Sequence, residues 1–225
     1  MHPYTAIGID GCRAGWIATI REPCGKLRWQ LASHVAEILD PLPPDSTILI
    51  DMIIGLPEVG ESHRQCDRQA RQRLRPHGSR IFPAPPRAAI RAASYSEACR
   101  LARAATGKAI SKQCWHIFPK IRELDNVADF RIRESHPELA FARLNRERPV
   151  TASKKGADGQ VERLKLLDAA LPGSRELYAE LIRNTLRQEV ARDDALDALV
   201  LCAVAGAPDG LRQIPEEGIG PAIWY

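Results

Sequence analysis

Carboxylates close three short strand-like runs of the chain: Asp10 follows Ile7-Gly8-Ile9, Asp51 follows Ile48-Leu49-Ile50, and Glu134 follows Arg131-Ile132-Arg133. A further acidic set, Asp193, Asp194 and Asp197, opens the apolar segment that runs on to Ala205. In open α/β sheets, side chains at the carboxyl ends of strands converge where ligands bind. Carboxylates brought that close repel one another and hold protons above their ordinary range unless a cation joins them. Hard cations that take oxygen ligands, Mg²⁺ or Mn²⁺, meet that need. Acids from three strands and a last helix suit two ions about 4 Å apart, the arrangement that activates a water and stabilises a leaving oxygen in phosphoryl transfer. Each acid alone also has an ordinary explanation: Asp10 before Gly11 is a turn residue, Asp51 ends a strand, and Asp193 and Asp194 suit a helix start.

The elements that must position these acids can be read from hydrophobic periodicity. Strands are predicted over 4–9, 15–20, 27–32 and 46–51, the first two as a hairpin folded over Asp10-Gly11-Cys12-Arg13. A short helix at 35–39 precedes the fourth strand, and a strand at 129–133 leads into Glu134. His136-Pro137-Glu138 reads as a helix start, and helices are predicted over 160–170, 176–190 and 192–205. On the last of these, Asp194 and Asp197 share a face while Leu196, Leu199 and Val200 point to a core. Asp193 caps that helix or joins the acids. The stretch 58–127 shows helical periodicity broken by the Pro-rich segment around Phe82-Pro83-Ala84-Pro85-Pro86, and is expected as a helical insertion within one domain spanning 1–225. The tail is expected to form a small hairpin, and its apolar end, Ile219 to Tyr225, offers a surface for a second copy in a homodimer.

That insertion is also basic. Between Arg64 and Arg91 stand eight arginines and one acid, Asp67, although the whole chain carries a formal charge of only +4. Arginine forks bind phosphate bidentately, and a polyanion needs such cations to approach an acidic centre. Arg68, Arg71, Arg80 and Arg87 are the candidate phosphate ligands of the insertion, with Arg80 and Arg87 bracketing the Pro-rich loop as a clamp. Arg13 in the first turn and Lys154 and Lys155 in a later Gly-containing loop complete the set. The ordinary alternative is a solvated face.

With 225 residues, 44% hydrophobic and 27% charged, the composition is that of a globular protein with a sizeable core. Its six cysteines form no Cys-x-x-Cys pair, which argues for reduced thiols and against a structural zinc site. No apolar run has membrane-spanning length and the amino terminus lacks a signal-peptide pattern, so a cytoplasmic protein without membrane partners is expected.

The segments Gly8-Ile9-Asp10-Gly11-Cys12-Arg13-Ala14-Gly15-Trp16, Ile50-Asp51-Met52-Ile53-Ile54-Gly55-Leu56-Pro57, Cys66-Asp67-Arg68-Gln69-Ala70-Arg71, Ser79 to Arg87, Glu134-Ser135-His136-Pro137-Glu138 and Asp193 to Ala198 together resemble DUF429. This is a family of predicted nucleases of unknown function in the RNase H-like superfamily. The resemblance implies an α/β fold with a mixed five-stranded sheet, order 3-2-1-4-5 with strand 2 antiparallel, flanked by helices. It also implies that Asp10, Asp51, Glu134 and acids of the last helix ligate metal.

The expectation is a two-metal nuclease acting on DNA or RNA. Asp10 and Asp51 would bridge or flank the ions, Glu134 would orient an ion or the water, and Asp194 or Asp197 would complete the second site. Two alternatives remain open: an RNase H-like module that binds nucleic acid without chemistry, and an ATP-dependent phosphotransferase. The second arises because the turn DGCRAGW also resembles the phosphate-binding hairpin of actin-like ATPases and sugar kinases.

Overall fold

A computed structural model describes residues 4–58, 64–218 and 220–225. In chain order the elements are β1 (Ala6–Cys12), β2 (Gly15–Arg21), β3 (Leu27–Ala32), α1 (Ala36–Leu39), β4 (Thr47–Asp51), α2 (Gln65–Arg73), α3 (Tyr95–Thr106), α4 (Lys112–His116) and α5 (Phe118–Asp125). There follow β5 (Ile132–Glu134), α6 (Pro137–Leu144), α7 (Ala157–Ala170), α8 (Ser174–Asn184), α9 (Arg192–Ala205), β6 (Gln213–Ile214) and β7 (Ile223–Trp224). Single 3₁₀ turns lie at Gly78–Arg80 and Arg87–Ala89. The chain folds as two compact units, one of residues 1–52, 129–213 and 224–225, the other of residues 53–128 and 214–223.

The first unit is built on a mixed five-stranded sheet of order β3-β2-β1-β4-β5, the order the family resemblance implies. β1 pairs antiparallel with β2 and parallel with β4, and β4 pairs parallel with β5. Its core is set by α9, buried at every residue from Ala195 to Ala205, which explains why that segment shows no polar face beyond its first turn. α9 lies so close to β1 that a Cβ on Gly8 would stand 2.1 Å from the Ala198 carbonyl oxygen and 2.2 Å from the Cys202 nitrogen. Only glycine permits that approach.

Several boundaries differ from the sequence expectation for local reasons. β1 continues through Asp10 to Cys12, and the hairpin turns at Arg13 and Ala14, because Cys12 still pairs with Gly15. Asp129–Arg131 leave the fifth strand: the Asp129 carboxylate takes the Arg131 N–H and guanidinium, while that guanidinium also donates to the carbonyls of Leu39, Leu42 and Pro43. α8 stops at Asn184 instead of running to Val190, where Glu189 Oε2 accepts the Leu186 N–H and tightens a turn. The tail does pair as β6 with β7. Ile223 and Tyr225 are buried within the chain, and Ile219 lies outside the described residues, as do 59–63 of the expected insertion.

In the second unit, α2 to α5 and the two 3₁₀ turns carry the helical character read from the sequence. Arg64 is not one of its surface cations. It is 4% exposed and forks onto Asp67, and Asp67 also accepts the Ala84 N–H at 3.0 Å, tying the Pro-rich loop to α2. All six cysteines are free thiols. Among the described residues no helix is long and apolar enough to cross a membrane.

Candidate metal centre

Register brings the first two acids together. Asp10 on β1 lies opposite Asp51 on the parallel neighbour β4, so both side chains leave the sheet on one face. Asp197 reaches the same point from α9, one turn beyond Asp194. Asp10, Asp51 and Asp197 each offer a carboxylate oxygen, and these atoms lie within 4.8 Å of one another. At an effective dielectric near 20, each ionised pair at that separation costs about 3 kcal/mol. Asp10 is 7% exposed and Asp197 1%, so water relieves little of this.

The charges respond accordingly. Burial, then Asp51, Asp197 and Asp194, push the Asp10 carboxyl well above its ordinary range, against the pull of Lys154. Burial lifts Asp51 to about 7; Lys154 opposes this, and Glu134, Asp194 and Glu138 add to it. Asp194 and Asp197 rise to about 6, again chiefly through burial. A cluster that holds protons so tightly is one that a cation would discharge.

Whether the residues fit a divalent ion can be judged from their atoms. Gly11 N–H donates to Asp10 Oδ1 at 2.7 Å, which orients that carboxylate. Asp197 Oδ1 is buried and accepts no hydrogen bond, an unpaired acceptor of a kind rare in folded proteins. Three carboxylates, one of them carrying an orphaned oxygen, form a hard-oxygen donor set that suits a hard cation and not a soft metal.

The other expected ligands stand apart from this triad. Glu134 pairs in register with Ile50, one residue short of Asp51, so strand alternation does not stack it on the Asp10–Asp51 face, and its charge raises the Asp51 pKa. Asp194 accepts the Ala191 N–H at 3.1 Å and thereby caps α9, the helix-start role open to it and Asp193 in the sequence. Asp193 itself lies 3.9 Å from the Lys154 ammonium.

Lys154 is the main departure from the sequence reading. Expected on a phosphate loop, its Nζ instead donates to Asp197 Oδ2 inside the cluster. Burial works against its charge, yet Asp197, Asp10 and Asp51 together raise its pKa above the ordinary lysine value. The loop that delivers it is held by residues the sequence reading passed over. Arg163 on α7, with no exposed surface, donates to the Ala152 carbonyl at 3.0 Å and forks onto Glu138 of α6. A Cβ on Gly159 would stand 2.1 Å from the Ser153 carbonyl oxygen, so α7 can press on this loop only with glycine there. The available signal was Arg163 on the same helical stripe as Leu164 and Leu167, an arginine where an apolar residue is expected. His136 serves locally, its Nδ1 accepting the Glu138 N–H to start α6.

Of the expected phosphate ligands, Arg13 is exposed in the β1–β2 turn and Lys155 is exposed beside Lys154. Arg68, Arg71, Arg80 and Arg87 belong to the second unit. Arg68 and Arg71 line one cleft there. Arg71 also donates to the Ile81 carbonyl at 2.9 Å, and Arg87 is held by Glu58 at 2.8 Å and Asp125 at 2.7 Å. Arg87 is thus paired with two carboxylates of its own unit.

A family model described as a protein of unknown function (DUF429) matches residues 8–218. No curated protein and no solved structure matches the chain.

Proposed function

Since the chain belongs to DUF429, a family of unknown function, we propose from its carboxylate cluster that it is an RNase H-like, divalent-metal-dependent nuclease hydrolysing phosphodiester bonds of nucleic acid. The observation that carries this reading is the meeting of Asp10, Asp51 and Asp197 within 4.8 Å, with Asp197 Oδ1 left without a partner. Acids on two adjacent strand ends and a packed helix give the rigid, low-dielectric setting that favours charge stabilisation at a phosphoryl group.

Asp10, Asp51 and Asp197 would hold the first ion, and Asp194, with Glu134 further out, would complete the charge around a second. Such ions, when bound, supply an activated water and offset the charge that grows on the phosphate oxygens. The chain's own residues do the rest. Asp10 is aimed by the Gly11 N–H. Lys154 balances the carboxylates before an ion arrives, and once Asp197 Oδ2 is needed as a ligand its ammonium can turn to a substrate phosphate instead. Arg13, exposed three residues from Asp10, adds a phosphate contact, and the arginines of the second unit draw in the polyanion.

The test is a cleavage panel of single-stranded, duplex and hybrid DNA and RNA with Mg²⁺ or Mn²⁺, run alongside Asp10→Asn. We expect cleavage of at least one substrate, loss of it in EDTA, and background activity in the variant. A pure preparation that cuts none of them, with Asp10→Asn binding Mn²⁺ as tightly as the wild type, overturns the proposal.

One observation favours a second reading, a binding module without chemistry. The Lys154 ammonium already occupies the cluster, and a domain that never takes an ion would keep such an internal cation permanently. Mn²⁺ binding separates the two.

A further inference from the structure

The second unit contains a cleft of about 770 Å³ between α2, the Pro-rich loop and the segment joining α3 to α4. Its walls carry Arg68, Arg71, Arg75 and Lys108, and the one acid among the described lining residues is Asp67. That acid is already satisfied: it is 2% exposed, forked by Arg64, and accepts the Ala84 N–H. Among the described lining residues, Arg75 and Lys108 are exposed cations, and the one acid is already held. Gathering like charges around one concavity is unfavourable unless an anion is the intended occupant.

The rest of the lining narrows the class of anion. Phe82 and Pro83, both half-buried, and Ala84 give an apolar wall within the same cleft. Inorganic phosphate would use the cations and leave that wall wet. A ligand that joins a phosphate to a flat, weakly polar ring uses both, because aromatic and proline faces accept a base by stacking while arginines take its phosphate. The volume lies within the usual range for small-molecule sites, roughly 300–1,000 Å³.

We propose that this cleft is a nucleotide-binding site, taking one nucleoside phosphate unit with its phosphate on Arg75 and Lys108 and its base on the Phe82–Pro83 wall. The unit is a free nucleotide or one residue of a single strand. The proposal deepens the nucleic-acid part of the functional reading but does not need the metal centre.

The experiment is calorimetric titration of the full chain in EDTA, which silences metal-dependent cleavage, with AMP, inorganic phosphate and the oligonucleotide dA10 as probes. Arg75 and Lys108 are exposed, so Arg75→Ala/Lys108→Ala leaves the fold intact. That variant should bind AMP or dA10 roughly tenfold more weakly, as expected for losing two solvent-exposed charge contacts. Phe82→Ala should weaken AMP more than phosphate. Binding of AMP alone identifies a free nucleotide as the occupant, and binding of dA10 alone identifies a strand; either supports the site. Absence of binding by both, equal affinity for AMP and phosphate, or affinities unchanged in both variants overturns it. Because no divalent ion is present, these outcomes leave the nuclease reading to its own test.

Discussion

Replacing Lys154 by methionine tests how the cluster balances its charge. The wild-type ammonium contacts Asp197 Oδ2 and lies 3.9 Å from Asp193, and its charge lowers the pKa values of Asp10, Asp51, Asp194 and Asp197. Methionine keeps the length of the stem and removes the charge. Breaking a buried pair by deleting one partner costs about 3–5 kcal/mol. The Lys154 side chain is 33% exposed while that of Asp197 is 2% exposed, so part of its interaction is screened, and a cost just below that range, about 2–3 kcal/mol, is the expectation. At roughly 2–4 °C per kcal/mol for a chain of this size, Lys154→Met should lower Tm in EDTA by about 4–12 °C. Mn²⁺ should reverse the loss. An ion at a hundred times its Kd adds about 2.7 kcal/mol, and the variant, with no lysine to displace, should bind Mn²⁺ more tightly than the wild type. Thermal melts followed by circular dichroism, with Mn²⁺ calorimetry, read both effects. Equal Mn²⁺ affinity in the two proteins, with a Tm deficit that Mn²⁺ leaves untouched, would refute the competition between lysine and ion. No Mn²⁺ binding by either would refute the metal centre itself.

Three further outcomes follow from the same geometry. The folded carboxylates of Asp51, Asp194 and Asp197 titrate near 7, 6 and 6 against an ordinary value of 3.8, so the stability they contribute is complete below about pH 4 and is lost as pH climbs through 6 to 7; in EDTA Tm should fall between pH 5 and 8, while Mn²⁺ affinity rises as protons leave, and a Tm that rises over this window contradicts the assignment. Gly8→Ala should cost about 3 kcal/mol or more in urea unfolding, because its Cβ meets the backbone of α9 at 2.1 Å and 2.2 Å; a loss under about 1 kcal/mol would show that the helix can retreat. Glu138→Ala leaves the Arg163 guanidinium buried without its carboxylate and should cost about 3–5 kcal/mol, whereas Glu138→Leu/Arg163→Met should recover most of it; a double variant as unstable as the single one argues against an ion-pair origin.

Much of the scaffold was legible because it rests on local signals. Short apolar runs ending in acids gave the strands, and a 14-residue apolar segment beginning Arg-Asp-Asp gave α9 with the right boundaries. The boundaries that moved did so through long-range partners: Arg131 leaves the strand pattern to hold the carbonyls of a helix and loop about ninety residues away. The candidate site divides in the same way. That Asp10, Asp51 and Asp197 are candidates follows from residue type and position, but the meeting of Asp10 and Asp51, with Glu134 off their face, depends on strand register, where a shift of one residue turns a side chain to the opposite face.

Charge partners were the least legible part. By sequence Arg64 belongs with the surface arginines and Lys154 with a phosphate loop, yet the first is buried on Asp67 and the second reaches Asp197, 43 residues further along the chain, and is drawn by Asp10 and Asp51 from the far end of the chain. Long, flexible cationic side chains take whichever acid the fold brings within reach, and sequence spacing does not encode that choice. The amino-acid sequence by itself therefore determined the strands, the last helix and the supply of acids and bases. Only the tertiary structure decided which acids share a point in space and which cation answers them, because both depend on register and burial instead of local propensity.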